Sequence, residues 1–215
     1  MSPELESKLE EFDRIEDALL EAAMCLFKAH GGAVYPLDLL ANAAIKRAKS
    51  LNSAFSMLLR ADNFLAAAHL IRLQLDSALR FSAAWIVDDC HKFAHEVLKG
   101  VSIRDQKDRT GKKMTDAHLV SVLSEEEPWI ARVYEATSGY IHLSEKHIFN
   151  TLSLSDEPRT ATIEISSKST PVPNQSKLEA VMAMMAINRV LLGYLAGWHR
   201  TKEGSPKKSI RPTRR

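Results

Sequence analysis

The chain has 215 residues, 45% of them hydrophobic and 26% charged, with a formal net charge of +2 and two cysteines. That length suits one domain with a real core, and the balance is that of an ordinary globular protein, which excludes disordered and fibrous classes. Cys25 and Cys90 lie far apart and make no disulfide framework, and the acidic start MSPELESKLEEFDRIED lacks the basic and apolar regions of a signal peptide, so a reducing, cytoplasmic setting is expected.

From Glu4 to His30, apolar residues at Leu5, Leu9, Phe12, Ile15, Leu19, Ala22 and Leu26 have helical spacing, ended by Gly31-Gly32. Pro36 opens a second helix to about Arg60, and Asp62 is placed to cap a third through FLAAAHLIRLQLDSALRFSAAWIVDD. Asp89 and Gly100 frame a short helix, HKFAHEVLK. The polar loop after it, VSIRDQKDRTGKKMTD, is expected to be the most mobile segment. Thr115 caps a fifth helix, and Pro128 starts a sixth. In NTLSLSDEPRTATIEIS, β-branched alternation around Asp156–Pro158 predicts a small β-hairpin near 150–166. PVPNQS then breaks the chain before a long apolar helix. Its run VMAMMAINRVLLGYLAGW carries Asn188 and Arg189 near the middle, which reads as a buried helix and not as a membrane span. The sum is an all-α bundle of about six to seven helices with an appended hairpin, one domain over 1–198. Residues 199–215 hold seven Lys/Arg against Glu203, a local +6, and read as a basic, flexible tail able to touch phosphates.

In the third helix His69, Arg72, Asp76 and Arg80 recur at i, i+3, i+7 and i+11, within an arc of roughly 80° on a helix otherwise built for burial. Arg72–Asp76 and Asp76–Arg80 are i,i+4 neighbours able to form a charge ladder. The sixth helix repeats the pattern with Arg132, Glu135, His142 and Lys146, and Gly139 removes a side chain beside His142. Two such stripes facing each other would hold a phosphate between Arg72 and Arg80, with His142 exchanging protons near neutral pH. The plainer alternative is a structural seam whose charges satisfy one another and fix helix register.

An arginine-bearing long helix, a Lys-rich loop and then Tyr134 with Tyr140-Ile-His-Leu-Ser144 together resemble a group of bacterial helical proteins similar to the HEPN class, over about residues 60 to 150. HEPN domains are frequent in RNA-targeting toxins and phage-defence systems. The resemblance implies a helical bundle, often a homodimer, with a polar site between two central helices and RNA or a nucleotide as ligand. Onto this chain it carries Tyr140, His142 and Ser144. The HEPN ribonucleases' Arg, four to six residues and then His has no counterpart here: Arg132 and His142 have nine residues between them, Arg60 and His69 eight.

The expected site is therefore His142, Arg72 and Arg80 as catalytic groups, with Tyr140, Ser144, Asp76 and His69 against the substrate. The rival is a non-catalytic interaction module. A third reading, a metal-dependent hydrolase, rests on His91 and His95, whose i,i+4 spacing suits two imidazoles on one metal but which lack a clear third ligand; no metal or cofactor is assigned. Thr110-Gly-Lys-Lys113 lacks the first glycine and the Ser/Thr of a phosphate loop. Gly193 and Gly197 read as a place of close helix contact.

Overall fold

The computed structural model describes residues 2–141, 144–149, 151–154, 160–168 and 172–204, and over these the architecture is all-α. Short polar side chains start the helices. Ser2 accepts from the Leu5 amide to open α1, Pro3–Asp13. The single long helix expected from Glu4 to His30 is broken at Arg14, after which α2 runs Ile15–Lys28. Gly31 and Gly32 follow at φ 67° and 80°, conformations that a residue with a Cβ adopts only at a cost. α3 is Pro36–Arg60, opened by the Asp38 carboxylate, which accepts the Tyr35 amide at 2.8 Å.

α4 is Phe64–Ser82, continued by a single 3₁₀ turn, Ala83–Trp85. Its cap is Asn63 and not Asp62: the Asn63 side chain accepts from the Ala66 amide. Asp62 sits instead in the left-handed region (φ 59°) and pairs with Lys177. Asp89 caps α5, Cys90–Leu98, and Thr115 caps α6, Asp116–Glu126. α7 is Trp129–Ile141, α8 is Glu145–Phe149 and α9 is Asn174–Gly204. Leu152–Leu154 (β1) pairs antiparallel with Ala161–Ile163 (β2), Leu152 opposite Ile163; the residues between them, 155–159, lie outside those described.

α4 is the hub, packed against α3, α9, α7 and α6. Its apolar face, Ile71, Leu75, Ala78 and Leu79, meets Met184, Ile187 and Leu191 of α9 in one continuous core. At the centre of that core three amides meet. Asn188 of α9 accepts from Asn52 of α3 (3.1 Å) and Gln74 of α4 (3.0 Å), and donates to Asn52 (3.0 Å) and to its own helix at Met184 (2.8 Å). All four hydrogen-bonding positions of the Asn188 side chain are thus used where no water reaches. By length and composition α9 could cross a membrane; in the bundle 44% of its apolar stretch is buried, with Asn188 fully so.

α9 also continues past the boundary expected at 198. Trp198 and Lys202 are buried, and both point at Asp38. The Asp38 carboxylate accepts from Trp198 Nε1 (2.7 Å) and Lys202 Nζ (2.9 Å), and Lys202 donates also to the Leu26 carbonyl (2.6 Å). A buried ion pair is tolerable when hydrogen bonds saturate it, and removing one member leaves the other uncompensated. Lys202→Met is therefore expected to lose about 3–5 kcal/mol in a urea melt. The double variant Asp38→Asn with Lys202→Met should recover part of that loss; a single variant as stable as the parent would show that the pair is not closed to water.

Candidate functional site

Arg80 is the middle of a chain of alternating charges. Its Nε donates to Asp76 (3.1 Å), its Nη1 to the Met114 carbonyl (3.1 Å) and its Nη2 to Asp116. Asp76 also accepts from Arg47 of α3 (3.0 Å), and Asp116 from Arg72 (3.1 Å). Arg72 lies with its guanidinium 4.0 Å from the centre of the Tyr134 ring. The seam thus runs Arg47–Asp76–Arg80–Asp116–Arg72, three cations to two carboxylates, and joins α3, α4 and α6.

This differs from the expected pairing of α4 with a charged stripe on α7. Arg132 and Glu135 are exposed. The face that α7 turns to the bundle carries Ile130, Tyr134 and Thr137, and Arg132 is about 200° round the helix from Ile130. Apolar burial decided the phase, and the charges followed it outward. The partner shared by Arg72 and Arg80 came from Asp116, the residue after a cap, and the second partner of Asp76 from Arg47, neither marked by the α4 periodicity. The seam is half-exposed: the Asp76, Arg80 and Asp116 side chains retain 25%, 21% and 35% of their accessible surface. Arg47 and Arg80 border a small apolar cleft of about 220 Å³. An anion entering there must compete with two carboxylates already in place.

His69, Tyr140 and Ser144 fall in a second cluster, one turn up α4. The rings of His69 and Tyr140 are 6.3 Å apart, and His147 of α8 completes the triangle at 6.0 Å from His69 and 6.3 Å from Tyr140. The two imidazoles are held in opposite senses. His69 Nδ1 meets the Leu65 carbonyl at 2.7 Å, an acceptor, so Nδ1 carries the proton and Nε2 keeps its lone pair. His147 Nδ1 receives the Ser144 amide at 3.1 Å, so its proton is on Nε2. The Ser144 hydroxyl donates to the Gly139 carbonyl (2.6 Å) and ties the residue before α8 to the end of α7. His142, the expected catalytic histidine, lies outside the described residues. His147 stands in the same SGYIHLSEKHIF stretch, on α8, and it is the histidine that meets α4 at His69.

A larger cavity, about 560 Å³, opens at the other end of the bundle beside the C-terminal half of α9. Trp85, Trp129 and Tyr194 line it, with Trp85 and Tyr194 edge to face at 4.8 Å. Burial, and then the nearness of Glu126 and Glu127, pushes the Tyr194 phenol above its ordinary value. Gly193 and Gly197 form the floor; a β-carbon on Gly193 would meet nothing within 4 Å, whereas one on Gly197 would touch the Trp85 ring at 3.6 Å, so of the close contact expected at this pair only the Gly197 half is made.

His91 is stacked on Tyr35 (5.2 Å) and edge-on to Trp198 (5.3 Å), and among the described residues no three of His, Cys, Asp and Glu converge as a metal site. Compared with family models, with curated proteins and with solved structures, the chain matches none.

The α5–α6 loop that delivers Asp116 is densely hydrogen-bonded, against the mobility expected of it. Arg109 caps the carbonyls of Trp85, Ile86 and Val87. Asp108 accepts the Thr110 hydroxyl (2.7 Å), His118 Nε2 (2.7 Å) and the amides of Lys112 and Thr110. Burial works to raise the Asp108 pKa, but these donors outweigh it and hold it at about 2. The carboxylate therefore binds protons more weakly in the folded chain than in the unfolded one. Its contribution is fully present above the ordinary carboxylate range and is lost as pH falls from about 4 through 2. The protection of the Thr110 and Lys112 amides, measured as exchange rate relative to the intrinsic rate at the same pH, should fall over that window, and in Asp108→Asn it should be low already at neutral pH. Protection that is unchanged at pH 2 would remove Asp108 as the loop's anchor.

Proposed function

We propose that the chain is a HEPN-like cytoplasmic helical protein that binds RNA and cleaves it at the His69–Tyr140–His147 cluster, with the charged seam as scaffold below. The observation that carries this reading is that the two imidazoles are hydrogen-bonded through Nδ1 in opposite senses, His69 to a carbonyl and His147 to an amide. One ring presents a lone pair, the other a proton, and an RNA phosphodiester needs both. His69 Nε2 takes the 2′-hydroxyl proton, O2′ attacks phosphorus and the bond to O5′ breaks. The departing oxygen takes its proton from His147 in the imidazolium form, which gives up the Ser144 amide to carry a second N–H. Arg72, one turn from His69 and stacked on Tyr134, adds positive charge close by. Tyr140 offers a face for a base. The same resemblance suggests a role in bacterial defence or as a toxin, and a homodimer. The paired strands β1 and β2 read as the arms of a hairpin. A non-catalytic interaction module is the second reading, and the engagement of Arg80 by Asp76, Asp116 and the Met114 carbonyl favours it.

Incubation with a short single-stranded RNA separates the two. Cleavage should leave 2′,3′-cyclic phosphate ends, and His69→Ala or His147→Ala should slow it by about 10²-fold or more while leaving the melting temperature near that of the parent. His142→Ala belongs in the same assay, since the resemblance places it in the site. RNA that is retained on a filter but stays intact would establish the interaction module instead.

A further inference from the structure

We propose that the cavity beside the C-terminal half of α9 is a second, separate ligand site, and that it receives a guanine base with its phosphate. It lies roughly 20–25 Å along α4 from His69, so it does not rest on the RNA-cleavage reading. A volume of about 560 Å³ is that of a small-molecule site. The floor is flat because Gly193 and Gly197 are one turn apart, and a β-carbon at 197 would already touch the Trp85 ring at 3.6 Å. Flat floor and aromatic walls select a planar ligand, which every nucleobase is.

Charge narrows the choice. The cavity holds two glutamates, from the end of α6, and two arginines, from α9. Glu127 already accepts the Trp129 indole N–H at 2.6 Å. The Glu126 carboxylate makes no hydrogen bond or ion pair to a described residue, and it can only accept. Two adjacent donors on one edge of a planar ring satisfy a carboxylate best, and guanine's N1–H and exocyclic amine provide them. Adenine turns an acceptor, its N1, to the same oxygens. Arg189 has a distant partner in Glu11 at 3.9 Å, whereas Arg200 has no hydrogen bond or ion pair to a described residue and lies against Gly197. The phosphate therefore falls to Arg200.

Calorimetry on the full chain with GMP, AMP and the RNA pentamer UUGUU tests this. GMP should bind about tenfold or more tighter than AMP, because a site built to accept two donors rejects a base lacking them. Glu126→Gln should bring the two nucleotides within about threefold, and Arg200→Glu should weaken both. Gly193→Leu, which fills open space, should abolish GMP binding while the melting temperature stays near that of the parent. A free nucleotide is the ligand if GMP and UUGUU bind alike, and an RNA segment if the pentamer is at least about tenfold tighter. Equal affinity for GMP and AMP, binding of neither, or a preference that survives Glu126→Gln would overturn the proposal.

Discussion

Three buried amides hold the bundle in register. Asn188 can meet Asn52 and Gln74 together only when α3, α4 and α9 stand at one depth and one rotation relative to each other. Sliding α9 by a single residue turns Asn188 about 100° away, into hydrocarbon, where an unpaired amide costs roughly 1–3 kcal/mol. Leucines at these positions would pack in several registers; amides accept one. The knot is not optimised for stability, since Gln74 Oε1 is buried with no partner among the described residues. Its effect is to fix which residues of α4 face outward, and both the seam and the His69 cluster lie on that outward side.

Once α4 is fixed, its polar side is shared out by distance from the core. Near its C-terminal end Arg72 and Arg80 meet Asp116 from the start of α6, Asp76 meets Arg47 from α3, and the charges cancel almost pairwise. Near its N-terminal end no carboxylate of a described residue pairs with His69, and aromatic and imidazole rings from α7 and α8 close over it instead. The same helix face is a clasp at one end and chemically open at the other. Half-exposed ion pairs contribute little stability individually, but a chain of five linked groups also positions the α5–α6 loop that carries Met114 and Asp116.

Much of this was legible in the sequence. Helical spacing gave the all-α class, and the period of His69, Arg72, Asp76 and Arg80 marked α4 as unusual before any partner was known. What that pattern could not give was the partner. Periodicity describes one helix at a time, and Asp116 and Arg47 reach α4 only through the packing of other elements. α7 misled because Arg132 and Glu135 mimic the α4 stripe, while Ile130, Tyr134 and Thr137 hold the stronger claim on burial. The Gly193/Gly197 pair was read as a contact, which holds at Gly197 against Trp85, yet at Gly193 the missing side chain makes a hollow because nothing packs against it. The α9 end ran on because Lys202, counted as part of a basic tail, has an acidic partner 164 residues earlier.

The Asp38–Lys202 pair bears on how the chain is made. A ribosome delivers Asn52, Gln74 and Asp38 long before it delivers α9, so each helix of the nascent chain emerges without the element that satisfies it. Until Lys202 and Asn188 have left the exit tunnel, closing the early helices would bury a carboxylate and two amides without the α9 groups that satisfy them, at the cost of unpaired buried polar groups. Complete closure of the core therefore waits on the last helix to be synthesised.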